Sequence, residues 1–176
     1  MRALPITVTA LAAALLLTAC DSGGGASDDK TAGGGAGSAC AIGKVGLEVG
    51  PVNAAPAAGD TGNVSVAITN TSAECTLDGF PGITLEAGNS STAVPQDEAA
   101  QAQKLTLAKG ATASFTLTYV RGKAGDAKSL AVKTMKFGLP GATDTQSFDW
   151  KYGDVALKGG ADKPDASVSA FQQAGD

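Results

Sequence analysis

The sequence predicts an all-β protein, an immunoglobulin-like antiparallel sandwich of about seven to nine strands, carried behind an export signal and a glycine-rich tether. Three observations predict it. Apolar residues recur on a two-residue period: Val64, Val66 and Ile68; Phe115, Leu117 and Tyr119; Phe148, Trp150 and Tyr152. Turn-forming residues punctuate these runs at 51–60, 78–82, 88–90, 109–110, 122–126 and 140–141. Helical period is almost missing: residues 96–103, rich in Ala and Gln, read as a connecting loop with a short helical turn. An antiparallel barrel has the same inward apolar face and stands as the second architecture.

The first element is an address. Residues 1–19 have one early charge, Arg2, an apolar run over 11–17 and small residues before Cys20, which is the pattern of a signal peptide. That run is too short, and too interrupted by Pro5, Thr7 and Thr9, for a membrane span of roughly 20 apolar residues. Leu17-Thr18-Ala19-Cys20 resembles a bacterial lipobox, in which cleavage falls before the cysteine and its thiol takes a diacylglycerol. Two or three acyl chains at about 0.8 kcal/mol per buried methylene hold essentially permanently. The expectation is a protein held by lipid on Cys20 at the outer face of a bacterial cell membrane. The alternative is an ordinary cleaved signal that ends on an incidental cysteine.

Residues 20–38 form the tether. After Cys20 they are Gly, Ala, Ser, Asp, Thr and Lys, with no large apolar side chain to offset the entropy of ordering. A glycine-rich coil of this length spans roughly 25 Å, enough to lift a domain off lipid headgroups. Residues 33–38 superficially suggest a phosphate loop, but no strand precedes them and no Lys-Ser or Lys-Thr closes them.

The folded domain is expected over 39–176, a common single-domain size that buries an adequate core. Across the full chain 13 basic and 17 acidic residues give a net charge of −4, and loss of Arg2 with the signal makes it 12 − 17 = −5. An acidic balance argues against nucleic acid and against charge-driven adhesion to anionic lipid. Further strands are expected at 45–49, 83–85, 105–107 and 130–139, and near 155–157 and 168–171. Within 130–139 the apolar parity flips from Leu130 and Val132 to Met135, Phe137 and Leu139. A one-residue slip turns the wrong face inward, so a bulge or strand break is expected near Lys133 and Thr134.

Lipidation of Cys20 leaves Cys40 and Cys75, and a remaining pair in an exported protein bonds as a rule. The bridge would pin the chain's entry to a sheet edge, and loop closure over about 35 residues contributes roughly 3 to 4 kcal/mol. The competing reading, a reactive dithiol or metal site, has no histidine and no Cys-x-x-Cys to support it, so no metal and no cofactor is expected.

The order of these features carries a resemblance. A lipobox, a Gly/Ser/Ala tether, a cysteine ahead of a strand, a Val/Ile strand ending in Thr69-Asn70-Thr71, and then Cys75-Thr76-Leu77-Asp78-Gly79-Phe80-Pro81-Gly82 resemble the actinobacterial envelope family known as domain of unknown function 4232. The likeness covers roughly 39–171, and the apolar-glycine-apolar stretch 105–115 also fits it. Members often have a second cysteine pair in the C-terminal half, which this chain lacks. The resemblance implies a secreted or lipid-anchored β-sandwich and no established activity.

Chemistry is sparsely represented. Without histidine there is no Ser-His-Asp or Cys-His arrangement. A carboxylate-pair hydrolase acting on envelope carbohydrate has Asp78, Asp97, Glu98, Asp144, Asp149 and Asp154 to draw on, but their positions in turns, a loop and a polar strand face favour solvated surface groups. The expectation is therefore a non-catalytic binding module for an envelope protein or glycan, with a passive structural component as the alternative. Of Phe80, Tyr119, Trp150 and Tyr152, strand parity assigns the last three to the core. Phe80, in a turn beside Pro81, is the candidate partner surface. Asn63, Asn70 and Asn89 head Asn-x-Ser/Thr triplets, expected behind a bacterial lipobox to be incidental.

Overall fold

The computed structural model describes residues 38–160 and 163–174, which fall within one compact unit, Gly34–Asp176. The expected signal peptide, Cys20 and the tether up to residue 37 lie outside the described residues.

The alternating segments form the expected sheets. One sheet has the order β1 (Val45–Asn53), β2 (Thr61–Asn70), β7 (Thr112–Val120), β12 (Ala166–Val168), with β13 (Gln172–Gln173) continuing alongside β7. The other has the order β10 (Thr145–Asp149), β9 (Thr134–Gly138), β4 (Gly82–Ala87), β5 (Ser90–Ala93). Two short ribbons pair β3 (Cys75–Asp78) with β6 (Lys104–Leu107) and β8 (Ser129–Leu130) with β11 (Val155–Ala156). All these ladders are antiparallel. Neither large sheet closes on itself, so the fold is a sandwich and not a barrel.

Burial follows the period read from the sequence. Val64, Val66 and Ile68 on β2 and Ala113, Phe115, Leu117 and Tyr119 on β7 face inward, opposite Ile83 and Leu85 on β4 and Met135 and Phe137 on β9. The Phe115 and Phe137 rings stack at 5.5 Å with planes 9° apart, and Phe171 meets Phe115 edge-on at 6.0 Å. This trio joins the two sheets, and burying each ring contributes about 1.5 to 3 kcal/mol.

The parity flip marks a real break. β8 ends at Leu130 and β9 begins at Thr134, with a tight turn in which Val132 N–H donates to Leu130 O at 2.8 Å. Lys133 still donates to Glu86 O and accepts from Trp150 N–H, both at 2.8 Å, so the residues between the strands lose no backbone partner at that point.

Three expectations need correction. The strands number thirteen among the described residues, because expected single runs are split and two strands, β3 and β5, form where none was expected, touching the stretches read as turns only at Asp78 and Ser90. Residues 96–103 contain no helix: Asp97 Oδ1 accepts from Ala99 N–H at 2.9 Å and Asp97 O from Ala100 N–H at 3.1 Å, a single aspartate-capped turn. Its neighbours strap the sandwich edge, since Val168 donates to Pro95 O at 3.0 Å and accepts from Asp97 N–H at 2.9 Å. The aromatic run 148–152 leaves the strand at Asp149, where Trp150 Nε1 donates to Gly153 O at 2.6 Å and curls the chain.

Candidate functional site

Cys40 and Cys75 form the expected disulfide, across 35 positions of sequence. Around it, Thr76 N–H donates to Ser38 O at 2.9 Å and Cys40 N–H to Thr76 O at 3.0 Å. Ala39 thus makes an isolated parallel bridge with Thr76 beside β3, and Ser38, the last residue of the stretch read as tether, takes part through its carbonyl. Both cysteines are buried, which fits a structural crosslink.

Asn70 is the buried polar residue of the core. Its Nδ2 donates to Ala73 O at 2.8 Å and Leu107 O at 2.9 Å, and its Oδ1 accepts from Ser72 N–H at 3.0 Å. That geometry folds the 70–75 corner and leaves the amide no room for a glycan. Asn63 accepts from Thr118 Oγ1 at 2.9 Å, and Asn89 is exposed at the β4–β5 hairpin tip beside Gly88, whose φ of 58° the two-residue turn requires.

Of the three aromatics assigned to the core, two lie fully inside it and one only partly. Tyr119 and Trp150 are buried and meet edge-on at 5.0 Å, with Tyr152 half-buried against Trp150 at 4.9 Å. Burial raises the Tyr152 phenol above its ordinary pKa of 10.0, and Tyr119 adds to the shift. Tyr152, Phe148 and Trp150 border a 170 Å³ hollow with Val49, between the edge strands β1 and β10. Phe80 is half-buried in the β3–β4 turn, above the buried Pro81.

The six carboxylates are dispersed over loops, turns and strand ends; Asp78, Glu98, Asp144 and Asp149 are exposed, Asp97 and Asp154 half-buried. Among the described residues no group of three or more Cys, Asp or Glu side chains is arranged to hold a metal ion.

A cleft of about 330 Å³ is lined by Gln101, Gln103, Leu105, Phe171, Gln172 and Gln173. Two short segments build it. On the 101–107 segment the odd-numbered residues run from exposed Gln101 and Gln103 through half-buried Leu105 to fully buried Leu107, so one face grades from amide to core. On the other side β13 runs along β7, and Phe171, 2% exposed, forms the floor.

Main-chain pairing ties this border to β7 on one side and to the β3–β4 turn on the other. Phe171 N–H points away from β7 and donates to Gly79 O at 3.4 Å, which ties the Phe80 turn to the cleft floor. By the alternation of antiparallel pairs, Gln173 faces the same way as Phe171, because Ala174 N–H donates back to Thr112 O at 3.0 Å. Four primary amides supply paired donors and acceptors, and no ionisable side chain lines the cleft. Such a surface suits neutral hydrogen-bonding groups.

The glutamines were not singled out from the sequence. Gln101 and Gln103 read there as part of a helical turn, and Gln172 and Gln173 lie just beyond the strand expected near 168–171. Their only sequence signal is the i, i+2 spacing of Gln101 and Gln103 ahead of Leu105 and Leu107.

A search of the curated proteins finds no match. A family profile, the domain of unknown function DUF4232, matches residues 40–172, from the first cysteine of the disulfide to the first residue of β13. Because that match spans most of the chain, including both sheets, the cysteine pair and the Phe80 turn, the protein belongs to the DUF4232 family.

Proposed function

We propose that this protein is an extracytoplasmic lipoprotein, anchored through Cys20 to the outer face of a bacterial membrane, whose sandwich binds an envelope partner without catalysing a reaction. The observation that carries the binding reading is the cleft of Gln101, Gln103, Gln172 and Gln173 over Leu105 and Phe171, joined to the Phe80 turn through the Gly79–Phe171 hydrogen bond. It favours a binding module over a passive structural component, because a concave surface of four neutral amides, two on β13 and two on the segment leading into β6, is preorganised for a ligand. The partner's bound portion is uncharged and rich in hydroxyl or amide groups. Phe80 follows Gly79, whose carbonyl accepts from Phe171 N–H, and would add apolar contact beside the cleft.

The test is crosslinking of the anchored protein in its own envelope, comparing wild type with a Gln101→Ala/Gln103→Ala double variant and with Phe80→Ala. Both cleft substitutions are at exposed positions and leave the melting temperature unchanged; loss of the crosslinked partner is the expected result. An unaltered crosslink pattern in the double variant refutes the cleft reading. For Phe80→Ala, a large melting drop with unchanged crosslinking makes the ring part of the core. Replacing Cys20 with Ser is expected to release the protein from membranes, and retention after signal cleavage overturns the anchor.

A further inference from the structure

A second site, away from the glutamine cleft and independent of it, is built on Arg121. It is the one arginine in the chain besides Arg2. Its backbone is fixed on both sides: its N–H donates to Asp60 O and its C=O accepts from Gly59 N–H, each at 2.8 Å. Its Nη1 donates to Ala55 O at 2.7 Å and Pro56 O at 2.9 Å, which uses both hydrogens of that nitrogen and fixes the plane of the guanidinium.

The Nε and Nη2 groups make no hydrogen bond among the described residues, and there the Lys136–Glu86 contact is the one ion pair. These two nitrogens share one edge of the guanidinium, and their N–H groups point in parallel at the spacing of two carboxylate oxygens. Gly153 keeps that edge clear. It has φ 85°, and a Cβ at this position would lie 2.8 Å from Nε, 3.3 Å from Cζ and 3.4 Å from Nη2. Arg121 and Gly153 line a 240 Å³ cleft together with Pro56, Lys123 and Asp154.

We propose that the Nε–Nη2 edge of Arg121 binds the carboxylate of a singly charged ligand in this cleft. Holding the 55–56 loop accounts for Nη1 alone; the free edge, a fixed plane and a glycine in place of any covering side chain make the other half a receptor for a planar anion. Charge sets the class. Arg121 and Lys123 together with Asp154 leave a net charge of 2 − 1 = +1 around the cleft, which complements one carboxylate, whereas a polyanion brings further negative charge against Asp154.

The experiment is an NMR titration of the exported chain with sodium acetate at fixed ionic strength, reading the arginine Nε–Hε resonance, with sodium chloride as the control. A saturable Nε–Hε shift with acetate and none with chloride is expected. Asp154→Asn tightens the apparent affinity several-fold and Lys123→Gln weakens it, and neither touches the Nη1 tether, so folding is preserved. A drift that is linear and equal for both salts overturns the site. So does a saturable shift that is the same in both variants, because it would then report binding elsewhere.

Discussion

The hydroxyl of Tyr119 donates a 3.0 Å hydrogen bond to the carbonyl of Tyr152, 33 residues further along the chain, and accepts one from Ala55 N–H at 3.3 Å. One side chain at the end of β7 thus fixes both the 54–58 loop and the curl after β10, while its ring supports Trp150. Gly62 on β2 lets that ring in: a Cβ there would fall 2.5 Å from the Tyr119 ring and 2.8 Å from Ala55 N.

Tyr119→Phe keeps the ring and strips one buried and one part-buried hydrogen bond, so it is expected to cost about 1 to 3 kcal/mol in chemical denaturation. Gly62→Ala, which forces the ring off its seat, is expected to cost at least as much. If Gly62→Ala unfolds at the wild-type denaturant midpoint, the packing described around Tyr119 is wrong.

The Cys40–Cys75 bridge closes a loop across 35 positions, and its removal by Cys40→Ser with Cys75→Ser is expected to destabilise the domain by roughly 3 to 4 kcal/mol. Because the entering chain is held to β3 mainly by this bond and the Ser38–Thr76 and Cys40–Thr76 contacts, hydrogen exchange at Thr76 should accelerate more than at Val66. Equal acceleration at both would mean the bridge acts on the whole domain alone.

Asn70→Ala removes three hydrogen bonds from a fully buried amide and leaves Leu107 O and Ser72 N–H without it; a loss of about 2 to 4 kcal/mol is expected. Asn70→Asp is expected to be as damaging, since a carboxylate cannot donate to the two carbonyls. A melting temperature within error of wild type for either variant contradicts the corner geometry.

Tyr152 has a folded-state pKa above its ordinary value, so the folded protein holds that proton more tightly than the unfolded chain. Its contribution is complete below pH 10.0 and falls as pH rises past that value. Tyr152→Phe should flatten the alkaline loss of stability above that pH, and an unchanged slope in alkaline denaturation would assign the loss to other groups.

The sequence by itself determined the sheet content, the inward faces of β2, β7 and β9, the disulfide and the break near Lys133. Each depends on local periodicity or on the chemistry of a single residue type. Two-residue alternation survives whatever the strand pairs with, and two cysteines within one folded domain have one partner each. The address and anchor also read from residues 1–20 alone, as expectations that rest on that stretch. Only the tertiary structure decided that β3 exists, that Asn70 is an internal cap, that four glutamines from two distant segments share a cleft, and that Arg121 holds the 55–56 loop through Nη1 beside Gly153. These depend on contacts across 30 to 70 positions, where a short polar or turn-rich stretch has no period of its own and takes its conformation from whichever neighbour satisfies its backbone.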